Sequence, residues 1–273
     1  MKCELICFDI DGTLLNDNKE LLFQDQKALQ NVANKGVKIA LASGRMPAGV
    51  EVIEKNIGVQ CIKICNAGTY TLFQDKVLSA EYLSTDIMNN IYIEIAQKNN
   101  VPLWIFRNRK WYVTGIDKYV EREIKIIGCQ PDVADAEELV SQWKKEKTGP
   151  SKLVIAAEAN KISKIYNEIR DKNWQGVDIA RSAETFLEIF PEKIDKGRAL
   201  EAVCEKLGID IKNTVAFGDQ ELDIPMINKA GIGVAMGNAI EELKEKADFV
   251  TKTNNEAGVA YALEHILPEN HIL

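Results

Sequence analysis

The segment from Leu5 to Thr13 constrains the fold more than any other part of this chain. Leu5–Phe8 is a continuous apolar run, typical of a strand buried on both faces in a parallel sheet. Asp9 and Asp11 follow it, and residues two apart on a strand point to the same side, so both acids can converge on one ligand. Adjacent carboxylates repel each other unless a cation or shared proton intervenes, which favours a hard metal such as Mg²⁺. An ordinary Asp-Gly turn at the strand end is the alternative interpretation.

Short apolar strands alternate with amphipathic helices near both ends of the chain. A helix near Gln24–Lys35 separates the first two strands, and the same rhythm resumes after Gly197. This βαβ pattern predicts a parallel sheet with right-handed crossovers. The predicted core strands are Leu5–Phe8, Lys38–Ala42, Cys61–Cys65, Thr214–Phe217 and Ile232–Ala235.

The middle of the chain differs in composition, because all four tryptophans lie between Trp104 and Trp174. We therefore predict an α/β fold with two parts. A doubly wound, Rossmann-like core comprises residues 1–83 and 187–273, and a smaller α+β domain, residues 84–186, is inserted into it.

Composition narrows the function classes. The net charge is −7 and no Lys/Arg stripe is present, which argues against nucleic acid as a partner. No apolar run is long enough to span a bilayer, and the first residues lead to acids rather than to a signal-peptide core. We expect a cytoplasmic protein that does not bind membranes, and the sequence does not indicate an oligomeric state.

Cysteines and histidines point away from zinc and from histidine-based catalysis. Four residues span about 13 Å on a strand, so two cysteines at that spacing cannot chelate one ion, and we expect free buried thiols. Both histidines, His265 and His271, lie near the C-terminus, which leaves carboxylates for proton transfer. The cysteines with this spacing are Cys3 with Cys7 and Cys61 with Cys65.

Three further motifs follow predicted strands or begin predicted helices. Ser43-Gly44-Arg45 can hold phosphate oxygens at a strand-to-helix turn, although a helix N-cap has the same appearance. Lys196 can pair with an acid and a phosphate, although most lysines are only solvated. Asp219 and Asp223 can complete a metal site, although acids also favour helix starts.

These motifs, in this order, resemble the haloacid dehalogenase-like phosphatase superfamily, and the Cof-type sugar-phosphatase branch in particular. The superfamily pattern is Asp-x-Asp-Gly-Thr, then Ser or Thr, then Lys, then Gly-Asp-x-x-x-Asp. Val234–Asn238, Ala247–Thr251 and Asn255–Ala260 also resemble that branch. The resemblance implies that the segment inserted after the second motif is an α/β cap.

The resemblance also implies roles for individual residues. Asp9 is the expected nucleophile that forms an aspartyl-phosphate, and Asp11 is the expected acid and then base. Mg²⁺ is expected on the Asp9 side chain, the Asp11 backbone carbonyl and Asp219, with Asp223 ordering a metal-bound water. Phosphate or substrate contacts are expected at Ile10, Ser43, Gly44, Arg45, Asn66 and Lys196.

Two departures from the family pattern bear on the substrate. Leu222 stands where the family usually has Asn before the last Asp, so that contact is lost or is supplied by Glu221 or Asn66. Asn66-Ala67-Gly68 replaces the usual Asn-Gly-Ala.

The expected function is an Mg²⁺-dependent phosphatase that acts on a small phosphate monoester such as a sugar phosphate. The alternatives are a phosphotransferase or phosphomutase with the same intermediate, and a catalytically weakened phosphate-binding regulatory protein.

Overall fold

The computed structural model describes residues 2–266. The chain divides into two compact units, Met1–Ser79 with Asp195–Leu273, and Ala80–Ile194. Within residues 2–266, no helix combines the length and apolar character needed to cross a membrane.

The elements follow one another in three segments. The first contains β1 (Leu5–Phe8), α1 (Phe23–Asn34), β2 (Lys38–Ala42), α2 (Pro47–Ile57), β3 (Cys61–Cys65), β4 (Tyr70–Phe73) and β5 (Lys76–Ala80). The second contains α3 (Thr85–Asn90), a π-helical continuation (Ile91–Gln97), β6 (Leu103–Arg107), β7 (Lys110–Val113), α4 (Lys118–Ile127), β8 (Asp132–Val133), α5 (Ala136–Glu146), β9 (Lys152–Ala156), α6 (Ala159–Lys172), β10 (Val177–Ala183) and β11 (Phe186–Pro191). The third contains α7 (Lys196–Leu207), β12 (Thr214–Gly218), α8 (Ile224–Lys229), β13 (Ile232–Ala235), α9 (Glu241–Lys246), β14 (Phe249–Val250) and α10 (Gly258–Ile266).

An eight-stranded sheet in the order β14-β13-β12-β1-β2-β3-β4-β5 forms the centre of the first unit. The pairs from β14 to β3 are parallel, and β4 is antiparallel to β3. Every residue of β1 and β12 is buried, which explains why both read as continuous apolar runs. The α/β class and the parallel Rossmann-like core predicted from the sequence are confirmed.

The chain reverses its direction of strand addition beside β1. From β1 it adds β2 and β3 on one side, and it later places β12 on the other side. Ligands of open α/β sheets bind outside the carboxyl ends of strands at such a switch point. The rings of Phe8 and Phe217, the partners at the ends of β1 and β12, stack with centroids 4.7 Å apart and hold these two strand ends in register.

The second unit has its own sheet, in the order β10-β11-β9-β6-β7-β8. All its described strand pairs are antiparallel except β7 with β8. Alternate residues of the central strands form an apolar cluster with α3, its π-helical continuation, α5 and α6. The cluster includes Leu103, Ile105, Leu153, Ile155, Leu187 and Ile189.

The two compact units begin and end a few residues away from the predicted domain boundaries. The predicted core resumes at residue 187, whereas the second compact unit extends to Ile194. The reason is that β11, Phe186–Pro191, pairs with both β9 and β10 in the second sheet. The second unit also begins earlier than the predicted residue 84, at Ala80.

The expectation of free thiols is confirmed. The six cysteines, all within residues 2–266, form no disulfide bond, and Cys3, Cys7, Cys61, Cys65 and Cys204 are buried. Burial raises the pKa of Cys61 to about 12, so this thiol stays protonated and behaves as a small apolar group. Of the two histidines, His265 lies on α10 with its ring stacked on Tyr261, and His271 lies outside the described residues.

Candidate active site

Asp9 and Asp219 lie close together because β1 and β12 are parallel neighbours. Phe8 pairs with Phe217, and the backbone N–H of Asp9 donates to the Phe217 carbonyl at 3.0 Å. Asp9 and Asp219 therefore leave the sheet side by side, with only 7% and 2% of their surfaces exposed. The expectation that Asp219 lies beside Asp9 follows from this register.

Asp223 joins them from the 3₁₀ turn Glu221–Asp223. One carboxylate oxygen from each of the three acids lies within 4.8 Å of the others. The second oxygen of Asp223, Oδ2, accepts hydrogen bonds from the backbone N–H groups of Asp219 and Gln220, both at 3.0 Å. These bonds fold the turn back onto the strand end. A Cβ atom at Gly218 would lie 2.4 Å from the Asp223 Cβ, so only glycine fits there.

Lys196 is the cation of this cluster. It is the first residue of α7, whose N-cap is Asp195, and it is 5% exposed. Its ammonium group donates to Asp9 Oδ1 and Asp223 Oδ1, each at 2.5 Å. Burial opposes the charged ammonium, but the two carboxylates outweigh it and raise the pKa of Lys196 above its usual range.

With all three carboxylates ionised, the cluster and its one ammonium group carry a formal net charge of −2 in a buried site. Burial raises the pKa of Asp9, and the neighbouring Asp223 and Asp219 raise it further against the opposing effect of Lys196. Burial is also the main cause of the raised pKa of Asp219. A carboxylate-only donor set with excess negative charge matches the oxygen ligands that Mg²⁺ takes, so these residues fit the expected ion.

Asp11 occupies a different position from Asp9. Arg45 donates to both of its oxygens, Nε to Oδ2 and Nη2 to Oδ1, each at 2.8 Å. Lys19 Nζ adds a third bond, to Oδ1, at 2.9 Å. Burial alone would raise the pKa of Asp11, but these two cations lower it overall. The Asp11 carboxylate is thus held as an anion beside the acid cluster rather than as a member of it.

The predicted phosphate-binding residues follow the ends of β1, β2 and β3. Ser43 is 3% exposed, its N–H donates to the Ile64 carbonyl, and its Oγ accepts from the Arg45 N–H at 3.2 Å. Gly44 lies between Ser43 and Arg45. Ile10 is fully buried, and its carbonyl accepts from the Leu15 N–H.

Asn66 is the most unusual of these residues. It is fully buried in the left-handed region, with φ of 51°, and its N–H donates to the Arg45 carbonyl. Neither Oδ1 nor Nδ2 finds a hydrogen-bond partner among residues 2–266. An amide left unpaired in a protein interior costs about 1–3 kcal/mol, which indicates a group that awaits a ligand.

Sequence reasoning missed three residues that hold the acids. Thr13 and Gln220 donate to Asp219, and Lys19 donates to Asp11. Thr13 and Gln220 lie within the two acid motifs, so their closeness to the acids in sequence was an available signal. Lys19 gave no signal, because its contact depends on a turn with φ of 64°. Leu222, the departure from the family pattern, is 40% exposed.

Comparisons with known proteins bear on this geometry. 5-Amino-6-(5-phospho-D-ribitylamino)uracil phosphatase YcsE of Bacillus subtilis is 29% identical, over 96% of this chain and 95% of YcsE. Phosphatase YwpJ of the same organism is 27% identical, over 97% of this chain and 100% of YwpJ.

A crystal structure of a haloacid dehalogenase-like hydrolase from Bacteroides thetaiotaomicron has a TM-score of 0.88 and 28% identity, covering 97% of this chain and 100% of that one. Residues 6–263 match the family model described as haloacid dehalogenase-like hydrolase. The superfamily and the phosphatase class of enzyme expected from the sequence are thereby confirmed. The chain belongs to the haloacid dehalogenase-like hydrolase family.

Proposed function

We propose that this hydrolase removes the phosphoryl group from a small phosphate monoester, with Mg²⁺ and through an aspartyl-phosphate intermediate. The observation that carries the proposal is the buried cluster of Asp9, Asp219 and Asp223 around Lys196. This cluster is negatively charged and needs a cation before it can accept a phosphate dianion.

Asp9 and Asp11 divide the chemistry. An oxygen of Asp9 attacks phosphorus, and the bond from phosphorus to the ester oxygen breaks. Arg45 and Lys19 hold Asp11 as an anion in this structure, so Asp11 takes up a proton from water when Arg45 leaves it for the phosphoryl group, and it gives that proton to the departing alcohol. Water then attacks the phosphorus of the aspartyl-phosphate. Asp11 takes the proton of that water, and the bond to Asp9 breaks to release inorganic phosphate.

The metal ligands in this proposal are Asp9, Asp219, the Asp11 backbone carbonyl and, directly or through water, Asp223. When bound, Mg²⁺ neutralises the carboxylates and the phosphoryl oxygens, so that an anion can attack a dianion. Lys196 contributes the remaining positive charge and holds Asp9 at a fixed place.

The phosphoryl oxygens are proposed to bind Ser43, Gly44, Arg45 and Lys196, with Ile10 contributing its backbone. Asn66 supports this assignment, because its backbone lies against the Ser43–Arg45 segment: the Asn66 N–H donates to the Arg45 carbonyl and the Ala67 N–H to the Ser43 carbonyl. The buried side-chain amide of Asn66 has no hydrogen-bond partner among residues 2–266. Arg45 contacts Asp11 in this structure, so phosphate binding requires its guanidinium to share or exchange that partner.

The proposed substrate is a small phosphorylated metabolite, such as a sugar phosphate, that is found in the cytoplasm. The name of YcsE, a phosphatase of a phosphoribityl compound, supports a phosphorylated polyol or sugar as the first class to test. Neither nucleic acid nor a membrane is a proposed partner, in keeping with the net charge of −7.

A panel of sugar and polyol phosphates, assayed for phosphate release with Mg²⁺ and with EDTA, tests the proposal. We expect Mg²⁺-dependent release by the wild type and none by Asp9→Asn. Asp11→Asn, given p-nitrophenyl phosphate, should accumulate a phosphoryl group on Asp9, because this leaving group departs without an acid whereas hydrolysis needs the base. Mass spectrometry of the Asp9 peptide detects the adduct.

The control variant is Asp86→Asn, which makes the same Asp-to-Asn substitution at an exposed acid of the second unit and should behave like the wild type. Phosphate release that persists in Asp9→Asn would contradict the nucleophile assignment. Phosphoryl transfer to an added alcohol without free phosphate would instead favour the phosphotransferase alternative.

A further inference from the structure

Asp219 is held at both oxygens of its carboxylate. Thr13 Oγ1 donates to Oδ1 at 2.9 Å, and Gln220 Nε2 donates to Oδ2 at 2.9 Å. A carboxylate offers about four lone-pair sites, so each oxygen keeps one site for another ligand. The two donors therefore set the direction of the remaining lone pairs without consuming them.

The main chain around Asp219 is also fixed. Its N–H donates to Asp223 Oδ2 and its carbonyl accepts from the Ile240 N–H, both at 3.0 Å. Its carboxylate packs against Gly12, where φ is 91° and a Cβ atom would lie 2.4 Å from Asp219 Oδ2. The freedom that remains is the rotation of the carboxylate plane, and Thr13 and Gln220 restrict that rotation.

Gln220 differs from Thr13 in exposure and in how it is anchored. Thr13 is fully buried, whereas Gln220 is exposed. The Gln220 backbone is fixed without its side chain, because its N–H donates to Asp223 Oδ2 at 3.0 Å and its carbonyl accepts from the Asp223 N–H at 2.9 Å. Shortening this side chain removes the bond to Asp219 and leaves the turn intact.

We infer that Gln220 is a positioning residue for the metal: it orients Asp219 by a hydrogen bond to Oδ2, opposite the bond from Thr13 to Oδ1. The inference rests on the proposed function for the identity of the ion. Groups that hydrogen-bond to a metal ligand are worth about 10–100-fold in metal affinity. A Gln220 variant is therefore expected to bind Mg²⁺ about 10–100-fold more weakly.

Isothermal titration of MgCl₂ into the full chain, without substrate, tests this inference apart from catalysis. Gln220→Ala removes the side chain, and Gln220→Met keeps similar length but has no N–H donor. Both should lose Mg²⁺ affinity to a similar extent, with the unfolding temperature in EDTA unchanged. Gln24→Ala, an exposed glutamine on α1, is the matched control and should bind Mg²⁺ like the wild type.

Thr13→Val adds an independent arm, because it removes the donor on the other oxygen and should also weaken Mg²⁺ binding. The inference is overturned if both Gln220 variants bind Mg²⁺ within twofold of the wild type, or if Gln220→Met binds normally while Gln220→Ala does not. Failure of the proposed function looks different: the wild type would bind Mg²⁺ and Gln220→Ala would bind it weakly, yet no phosphate ester would be hydrolysed.

Discussion

The buried acid Asp25 is expected to make the free energy of unfolding depend on pH. It lies on α1, is fully buried, and accepts a hydrogen bond from the Ala260 N–H in the first turn of α10 at 2.7 Å. Its other oxygen, Oδ2, has no hydrogen-bond partner in the part of the chain that the structure describes. Burial raises its pKa from 3.8 to about 6, although the bond from Ala260 acts in the opposite direction.

The direction of the pH effect on stability follows from this raised pKa. The folded protein holds the Asp25 proton more tightly than the unfolded chain, so stability falls as pH rises from about 4 through about 6. With the folded value at about 6 and the unfolded value at 3.8, Asp25 lowers the free energy of unfolding by about 1.4 kcal/mol between pH 5 and pH 7.5. Asp25→Asn removes this titration and keeps an oxygen for the Ala260 N–H.

The assay must report on the first unit. All four tryptophans belong to the second unit, so tryptophan fluorescence reports on the wrong part of the chain. Hydrogen exchange of α10 peptides, together with urea unfolding followed by far-ultraviolet circular dichroism, gives the required free energies. We expect Asp25→Asn to gain about 1.4 kcal/mol relative to the wild type when pH rises from 5 to 7.5.

Glu264→Gln, which neutralises an exposed acid on α10, serves as the control for a general charge effect. The reasoning is refuted if the difference between Asp25→Asn and the wild type is the same at both pH values. It is also refuted if Glu264→Gln reproduces the whole shift.

Three other substitutions test the acid cluster and the exposed Leu222 beside it. Lys196→Met leaves Asp9 and Asp223 without their cation, so the free energy of unfolding in EDTA should fall by about 3 kcal/mol and recover in part with Mg²⁺, as measured by urea unfolding. Gly12→Ala forces a Cβ into the Asp219 carboxylate at a φ of 91°, and should cost about 1–3 kcal/mol and weaken Mg²⁺ binding in calorimetry. Leu222→Asn changes a 40% exposed position, so stability should stay within about 0.5 kcal/mol while kcat/KM for the preferred ester rises about tenfold, through one added hydrogen bond to a charged group.

The strands that position the acids were predictable because their signal is local. β1, β2 and β3 have the bounds expected from their apolar runs, because a buried parallel strand can be recognised from a few consecutive apolar residues. The approach of Asp219 to Asp9 also followed, since both acids come after neighbouring strands of one sheet.

The partners of Asp11 were not predictable in the same way. The contact with Lys19 depends on a left-handed residue in a turn whose ends are tied by Asn16, which bonds the Glu20 N–H through its side chain. Arg45 was expected to hold phosphate, and the structure shows it on Asp11. Such contacts depend on side-chain directions over tens of residues, which no local pattern records.

The sheet to which β11 belongs could not be predicted from the sequence, for a different reason. The segment Phe186–Pro191, which is apolar apart from Glu188, fits either sheet by its sequence alone. Its assignment to the second sheet comes from pairing with β9 and β10, and such partners are a property of the assembled fold.

The position of β1 between β2 and β12 has a consequence for synthesis. Thr13 and Asp219, which hydrogen-bond to each other, are 206 residues apart in the chain. At about 5–20 residues per second, a ribosome needs roughly 10–40 s to deliver the second after the first. During that interval the edge of β1 that later pairs with β12 is unpaired, whereas the compact unit Ala80–Ile194 emerges complete. The acid cluster therefore assembles only after the second unit has been synthesised, and a nascent chain that stops before β12 leaves one edge of an apolar strand unpaired.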